Sequence, residues 1–255
     1  MGQIKTPAEI SAMREAGRVV ANALAAVKAA AAVGVSLKEL DAVAAAVIAD
    51  AGATPAFLDY HPYWAATPFP GVICTSVNDA VVHGIPNGYV LADGDLVSID
   101  CGAFVDGWCG DAAISFTVGT ASAQDTALIA ATEAALARAI EAARIGNKMG
   151  DIAYAIGGES RRAGYGLLAD HGGHGIGRSM HEEPSVPNDG RPGRGLKLVE
   201  GLVIAIEPML LAGKKDDYYY DDDEWTLRTA NGRRAAHSEH TIAITAEGPV
   251  ILTLL

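Results

Sequence analysis

Cysteine is scarce in this chain. Three residues in 255, Cys74, Cys101 and Cys109, are odd in number and nowhere spaced as CxxC, so a disulfide framework is excluded. Cys101 and Cys109 read as small buried hydrophobes. Aromatic residues are few, at 6%, and charged residues reach 20%, yet hydrophobic residues make up 50%. That balance excludes a disordered or collagen-like chain. Long apolar runs are missing as well: a stretch such as Ala42 to Ala49 falls far short of the roughly 18 residues of a membrane span. Glu9, Arg14, Glu15 and Arg18 break up the region where a secretory signal would need an apolar core. Basic residues are in deficit, with 19 Lys+Arg against 31 Asp+Glu and a net charge of -12, which argues against broad binding to phosphate backbones. The expectation is a cytoplasmic protein with no membrane and no specific nucleic-acid partner, a monomer by default.

What is present is strong helix grammar. Thr6-Pro7-Ala8-Glu9 is a capping box with Pro at the first helical position, predicting a helix to about Ala32. Thr6 also completes an M-G-x-x-x-[ST] match from Met1, but the cap accounts for it and no lipid anchor is expected. Ser36-Leu37-Lys38-Glu39 opens a second helix to about Ala51. Ser122 with Asp125 starts a third to about Arg144, and a fourth runs from about Met149 to Ala163 with Gly164 behind it. Strand-like segments follow each pair: Leu96 to Ile99 and Ile114 to Val118, then Leu202 to Ile206 and His240 to Thr245. Asn231-Gly232, between Trp225–Thr229 and Arg233–His237, predicts a hairpin. The order helix-helix-sheet, twice, implies an α+β domain of two pseudo-twofold halves with any site between them. No Pro- or Ser-rich linker lies near residue 120. One domain over 1–255, with a short tail of about residues 1–5, is expected.

Carboxylates stand where apolar strands should be. Asp100 ends the run Asp95-Leu96-Val97-Ser98-Ile99, and a carboxylate there is costly unless paired, hydrogen-bonded or bound to a metal. Asp111 follows eleven residues later, beyond a turn at Val105-Asp106-Gly107, so two antiparallel strands can bring both acids side by side. His174 sits among glycines in His171-Gly172-Gly173-His174-Gly175-Ile176-Gly177, where an imidazole can approach an ion closely. Glu207 ends Val203-Ile204-Ala205-Ile206, and Glu239 precedes the strand Ile242-Ala243-Ile244. Four acids and one His suit a pair of hard or borderline divalent ions rather than a thiolate site. Such a pair holds a water at low pKa, the arrangement used for hydrolysis.

In order and spacing, Val82-His83-Gly84-Ile85-Pro86, Ser98-Ile99-Asp100, Gly110-Asp111, Gly173-His174-Gly175-Ile176-Gly177, His181-Glu182-Glu183-Pro184, Ile206-Glu207-Pro208 and Glu239-His240-Thr241 resemble type I methionine aminopeptidases. The resemblance spans nearly the whole chain. It implies the pita-bread fold around a central antiparallel sheet, and removal of the initiator methionine from nascent polypeptides with a small second residue preferred. It implies two divalent ions (Co, Mn, Fe or Zn), with Asp111 and Glu239 bridging both, Asp100 completing one and His174 with Glu207 the other. Glu207 is then also the proton shuttle, His181 contacts the scissile carbonyl, and His83 the substrate amide. Tyr60, Cys74, Met180 and Trp225 resemble the wall of the methionine pocket. Transient ribosome contact follows from a nascent-chain substrate, and the chain's own Met1-Gly2 start is an expected substrate.

Three departures stand out. Tyr63 to Pro70 is longer than the family's usual stretch before Cys74. Asp216 to Glu224 is an acidic, Tyr-rich run, expected as a solvated loop near the site mouth. His171 and His237 receive no family role. The same-fold alternative is an X-Pro aminopeptidase or dipeptidase, whose members usually carry a long additional amino-terminal domain, whereas about five residues precede the first cap here. A catalytically inactive binding protein of the same fold is the other alternative. Occupation of all five ligand positions by metal-competent side chains counts against it. Type I is favoured over type II because no long insertion separates Glu207 from His174 or Glu239.

Overall fold

The computed structural model describes residues 2–255. Met1, the expected self-substrate, lies outside the described residues. The four helices form where the caps predict: α1 Pro7–Ala30, α2 Leu37–Asp50, α3 Ala123–Ala142 and α4 Met149–Ala163. Thr6 and Ser36 each close a full capping box with Glu9 and Glu39, and Ser122 accepts from Asp125 N. Gly164 ends α4 at φ 85°, a left-handed cap that glycine adopts without steric cost.

A nine-stranded sheet runs through both halves, every pairing antiparallel. In the first half Leu96–Val105 pairs with Trp108–Thr117. In the second, Val203–Ile206 pairs with Glu239–Thr245. The halves join where Glu239 and His240 lie opposite Ala113 and Ala112. Each helix pair covers its own half: Val20, Leu24, Leu40 and Ile48 bury Val97, Ile99 and Cys101, while Leu128, Ile152 and Ile156 bury Ile204, Ile206 and Ile242. The strands are longer than the apolar runs suggest. Polar residues such as Ser98, Asp100 and Ser115 sit inside them, because only one face of each strand meets a helix pair.

One expectation needs correction and one needs refinement. Leu227–Thr229 and Ala235–His237 do not form a hairpin; the first pairs with Tyr218–Tyr220 and Ala80–Val82, the second with Met209–Leu211. Asn231-Gly232 still turns the chain, with Gly232 N donating to Thr229 O, but the Asn231 side chain donates to Ala212 O and Arg233-Arg234 carries the chain into another sheet. The acidic run is largely exposed, as expected, but it is not all loop. Tyr218–Tyr220 is a strand, Asp216 pairs with Arg161, Asp221 pairs with Arg228, and Asp223 accepts from Trp225 N and Thr226 N. The short tail is held against the second half: Ile4 bridges to Leu202, Lys5 N donates to Gly201 O, and Lys5 Nζ reaches Glu182 at 2.7 Å.

That last pair has side-chain exposures of only 2% and 8%. Removing one partner of a buried pair strands the other charge, which typically costs about 3 kcal/mol or more. Lys5→Ala is therefore expected to lower the unfolding free energy of the metal-free protein by about 3 kcal/mol, read from urea unfolding. An unchanged urea midpoint would show that the pair adds nothing.

Candidate metal centre

Strand periodicity decides which way each acid points. Along Leu96–Val105, Val97, Ile99, Cys101 and Ala103 pack under α1 and α2, so Asp100 takes the opposite, concave face. The turn at Asp106-Gly107, both at positive φ, sets a register in which Asp100 faces Ala113 and Gly102 faces Asp111. Asp100 and Asp111 are thus diagonal neighbours on one face. The second half repeats this: Ile204, Ile206, Ile242 and Ile244 pack under α3 and α4, turning Glu207 and Glu239 inward. Thr241 ties the halves at this level, its hydroxyl accepting from Asp111 N and donating to Asp111 O.

His174 arrives on the strand Gly172–Gly175. A Cβ at Gly173 would stand 2.0 Å from Ala205 O, and one at Gly175 2.2 Å from Glu183 O, so glycine lets neighbouring backbones close around the histidine. His174 Nδ1 donates to Gly175 O at 2.9 Å. Nε2 is left with its lone pair, facing Asp111 Oδ2 at 3.8 Å and Glu207 Oε1 at 3.9 Å. A lone pair set against two carboxylates is repulsive without a cation between them, and a backbone carbonyl on the other nitrogen is the usual support of a ligating imidazole.

The carboxylates make the same demand. Asp100 Oδ1, Asp111 Oδ1 and Glu239 Oε1 are buried with no hydrogen-bond partner among the described residues. Burial pushes Asp100 up to about 7, with His237 opposing and Glu207 adding to the rise. Asp111 and Glu239 are raised well above the carboxylate range, by burial first and by neighbouring carboxylates second. Burial raises Glu207 too, but its contact with His237 and the nearby histidines bring it down to about 2. Donor atoms of Asp111, His174 and Glu239 all lie within 4.8 Å of one another, as do those of Glu207, His237 and Glu239. The residues present fit divalent metal, which would satisfy the orphaned oxygens and the Nε2 lone pair together.

Above this floor lies a cavity of about 420 Å³. It brings together every residue singled out from the sequence: Asp100, Asp111, His174, Glu207 and Glu239 below, His83 and His181 beside them, and Tyr60, Cys74, Met180 and Trp225 on the wall. The His174 and His181 rings lie 4.1 Å apart between centroids, and burial, then His174, holds His181 down to about 3. Burial also lowers His83 to about 4 and raises the Cys74 thiol, so the imidazoles are neutral and Cys74 is an unionised wall residue. Sequence reasoning missed Phe57 and Phe69 on the wall and Trp64 at the mouth. It also left His237 without a role. His237 is buried, its Nε2 3.5 Å from Glu207 Oε2 and 3.8 Å from Glu239 Oε2. Its position two residues before Glu239, on the same side of an extended chain, was the available signal.

Residues 11–246 match the profile of metallopeptidase family M24. A protein of Mycobacterium tuberculosis named methionine aminopeptidase 1 is 52% identical over 98% of this chain and 94% of its own length. The methionine aminopeptidase of Clostridium acetobutylicum is 45% identical over 98% of each chain. The chain belongs to metallopeptidase family M24. Its fold is that of other M24 structures: the crystal structure of the Thermotoga maritima methionine aminopeptidase superposes with a TM-score of 0.95 at 38% identity, over 100% of both chains. The Pyrococcus furiosus prolidase, at 24% identity and a TM-score of 0.79 over 65% of its length, shares the fold alone. As an M24 metallopeptidase the protein takes a divalent metal cofactor, and the α+β pita-bread architecture is the one expected from the sequence.

A pH dependence follows from the acids. Metal binding needs them deprotonated, whereas the metal-free fold raises Asp100 from 3.8 to about 7. That raised group stabilises the metal-free protein below its unfolded value and loses its contribution as pH climbs through about 7. The rise in melting temperature on adding a fixed concentration of Mn(II) is therefore expected to grow from about pH 5.5 to about pH 7.5, by up to ~10-fold in apparent affinity per unit and proton displaced. A metal-induced shift that is flat with pH across that window would contradict it.

Proposed function

We propose that the protein removes the initiator methionine from new polypeptides by metal-dependent hydrolysis. The observation that carries this reading is a floor of converging buried carboxylates and a histidine lone pair, roofed by an apolar cavity of sulfur and aromatic side chains. A thioether among Met180, Cys74 and aromatic rings is a soft, flexible side chain among polarizable neighbours. The similarity to methionine aminopeptidases over nearly the full chain supports the same substrate. X-Pro hydrolysis is not favoured, since the prolidase shares only the fold. Nor is an inactive binder, because the whole donor set is in place.

Two divalent ions per chain would be held by Asp100, Asp111, His174, Glu207 and Glu239, with Asp111 and Glu239 serving both. When bound, such ions polarise a carbonyl and lower the pKa of water. The chain's own residues do the rest. The acidic floor on the Asp100 side attracts a free α-amine, which restricts the reaction to chain ends. Glu207, ionised across the neutral range, can accept a proton at its carboxylate and hand it to the leaving amine. Neutral His181 presents an N–H to the carbonyl as negative charge develops there. His83 holds the amide of the leaving chain, and the closed apolar wall excludes water from the methionine side. We place the protein in the cytoplasm as a monomer meeting nascent chains in transient contact with the ribosome. No described helix is long and apolar enough to cross a membrane.

The primary test is hydrolysis of Met-Gly, Met-Lys and X-Pro peptides by metal-free and Mn(II)-loaded protein. Only the loaded form is expected to act, and on Met-Gly well above Met-Lys; preference for X-Pro ends would overturn the reading. Glu239→Ala or Asp111→Ala is expected to abolish turnover and to lower bound metal at both positions, since each acid serves both. Full activity in either variant would defeat the two-ion arrangement.

His181→Ala separates chemistry from metal binding. One donor at a reacting carbonyl is worth about 3 kcal/mol, so kcat is expected to fall on the order of 100-fold with metal content unchanged. Loss of metal instead would make His181 a ligand.

A further inference from the structure

Residues 63–70, together with those just before them, form a closed loop over the cavity mouth. At its base Asp59 N donates to Phe69 O and Phe69 N to Tyr60 O, both at 2.9 Å. Inside it Ala65 N donates to Pro62 O, and the His61 ring meets Ala65 O at 3.1 Å. At its side the indole of Trp225 donates to Thr67 O at 3.2 Å. Ends that meet and a body filled by its own contacts define an Ω-loop, a compact unit rather than a slack connection.

Its tip is aromatic. Trp64 keeps 47% of its surface exposed. Its ring stacks towards His83 at 6.5 Å and 24° between planes, and its centroid lies 5.1 Å from that of Trp225. Both Trp64 and His83 line the cavity. His83 is half-buried at φ +59°, and its Nδ1 is buried with no hydrogen-bond partner among the described residues. In the activity proposed above, on which this inference rests, His83 holds the amide that leaves with the shortened chain. The space beside His83 is then where the side chain after the methionine must go, and the indole of Trp64 stands along it.

We propose that Trp64 is the specificity-determining residue for the side chain that follows the cleaved methionine. With the indole latched through the loop to Trp225, a small second side chain passes and a branched or long one meets the ring. The methionine pocket is assigned to Tyr60, Phe69, Cys74 and Met180, whereas the ring contacts of Trp64 are with His83 and Trp225 and not with Tyr60 or Phe69. Trp64 therefore reads the second residue and not the first.

The test compares kcat/KM for Met-Gly-Gly and Met-Leu-Gly in Mn(II)-loaded wild type, Trp64→Ala and Trp64→Phe. Trp64→Ala is expected to raise the Met-Leu to Met-Gly ratio by at least ~10-fold, the scale of one misfitted hydrophobic group. Trp64→Phe, which keeps a ring in place, is expected to stay near the wild-type ratio. The same two peptides titrated calorimetrically into metal-free protein, where no turnover occurs, should show the same reordering of affinity. An unchanged ratio in Trp64→Ala, in turnover and in binding, overturns the proposal. Should wild type hydrolyse neither peptide, the proposed activity falls, and the binding ratio alone still decides the role of Trp64.

Discussion

Four carboxylates share one buried space, and everything else about the site is arranged around that cost. Asp100, Asp111 and Glu239 have oxygens with no donor to meet them, and burial with mutual repulsion drives all three away from the ionised form. An isolated buried carboxylate is paid for only by a partner of opposite charge or by protonation. Among the described residues the Lys and Arg ion pairs reach Glu182, Asp216, Asp221, Asp79 and Asp125, or the helix neighbours Glu15, Glu141 and Glu159, all outside the cluster. The compensating charge must come from outside the chain, and a divalent cation is the form that fits acids and an imidazole lone pair together.

The twofold arrangement of the fold is what makes so crowded a cluster buildable. Each half supplies one strand pair, and in each the apolar residues of alternate positions are held under a helix pair. The intervening positions are forced to the opposite face, so two acids per half point inward without any special local geometry. Within the nine-stranded sheet the halves meet, among the described residues, through the short ladder of Glu239 opposite Ala113 and His240 opposite Ala112, which sets the spacing of the acids across the seam. Thr241, hydrogen-bonded twice to Asp111, locks that spacing. A one-residue slip there would turn Glu239 away from the cavity altogether.

This logic explains what was legible in the sequence. Capping depends on residues three apart, so Thr6 with Glu9, Ser36 with Glu39 and Ser122 with Asp125 located the helix starts correctly. A carboxylate within an apolar strand run is conspicuous for the same local reason, and motif order brought His83, His174 and His181 into the site. What stayed hidden depends on contacts distant in sequence. Asn231-Gly232 makes its turn, but the partner strands are chosen by Tyr218–Tyr220 and Met209–Leu211. The ties within the exposed acidic run stayed hidden because Arg161 and Arg228, which hold Asp216 and Asp221, come from elsewhere or from beyond the turn. His237 looked ordinary until Glu207, thirty residues earlier, was seen 3.5 Å away.

Floor and wall of the cavity are made from different material, and the division matches their tasks. The acids and His174 stand on or at the ends of strands of the central sheet, where pairing on both sides and helix packing behind fix each position. Reaction geometry needs that stiffness, since displacement of about 1 Å can cost 100-fold in rate. Much of the wall hangs on connections: Phe57, Tyr60 and Phe69 around the Ω-loop, Met180 on the turn pinned by Lys5 through Glu182, and Trp225 on the turn capped by Asp223. Such segments can change length and composition without shifting a strand. The loop that carries Trp64 is a case in point: it shapes the mouth of the cavity without contributing to the strands that hold the ligand set beneath it. Chemistry is therefore held by the part of the fold that tolerates least change, and choice of substrate by the part that tolerates most.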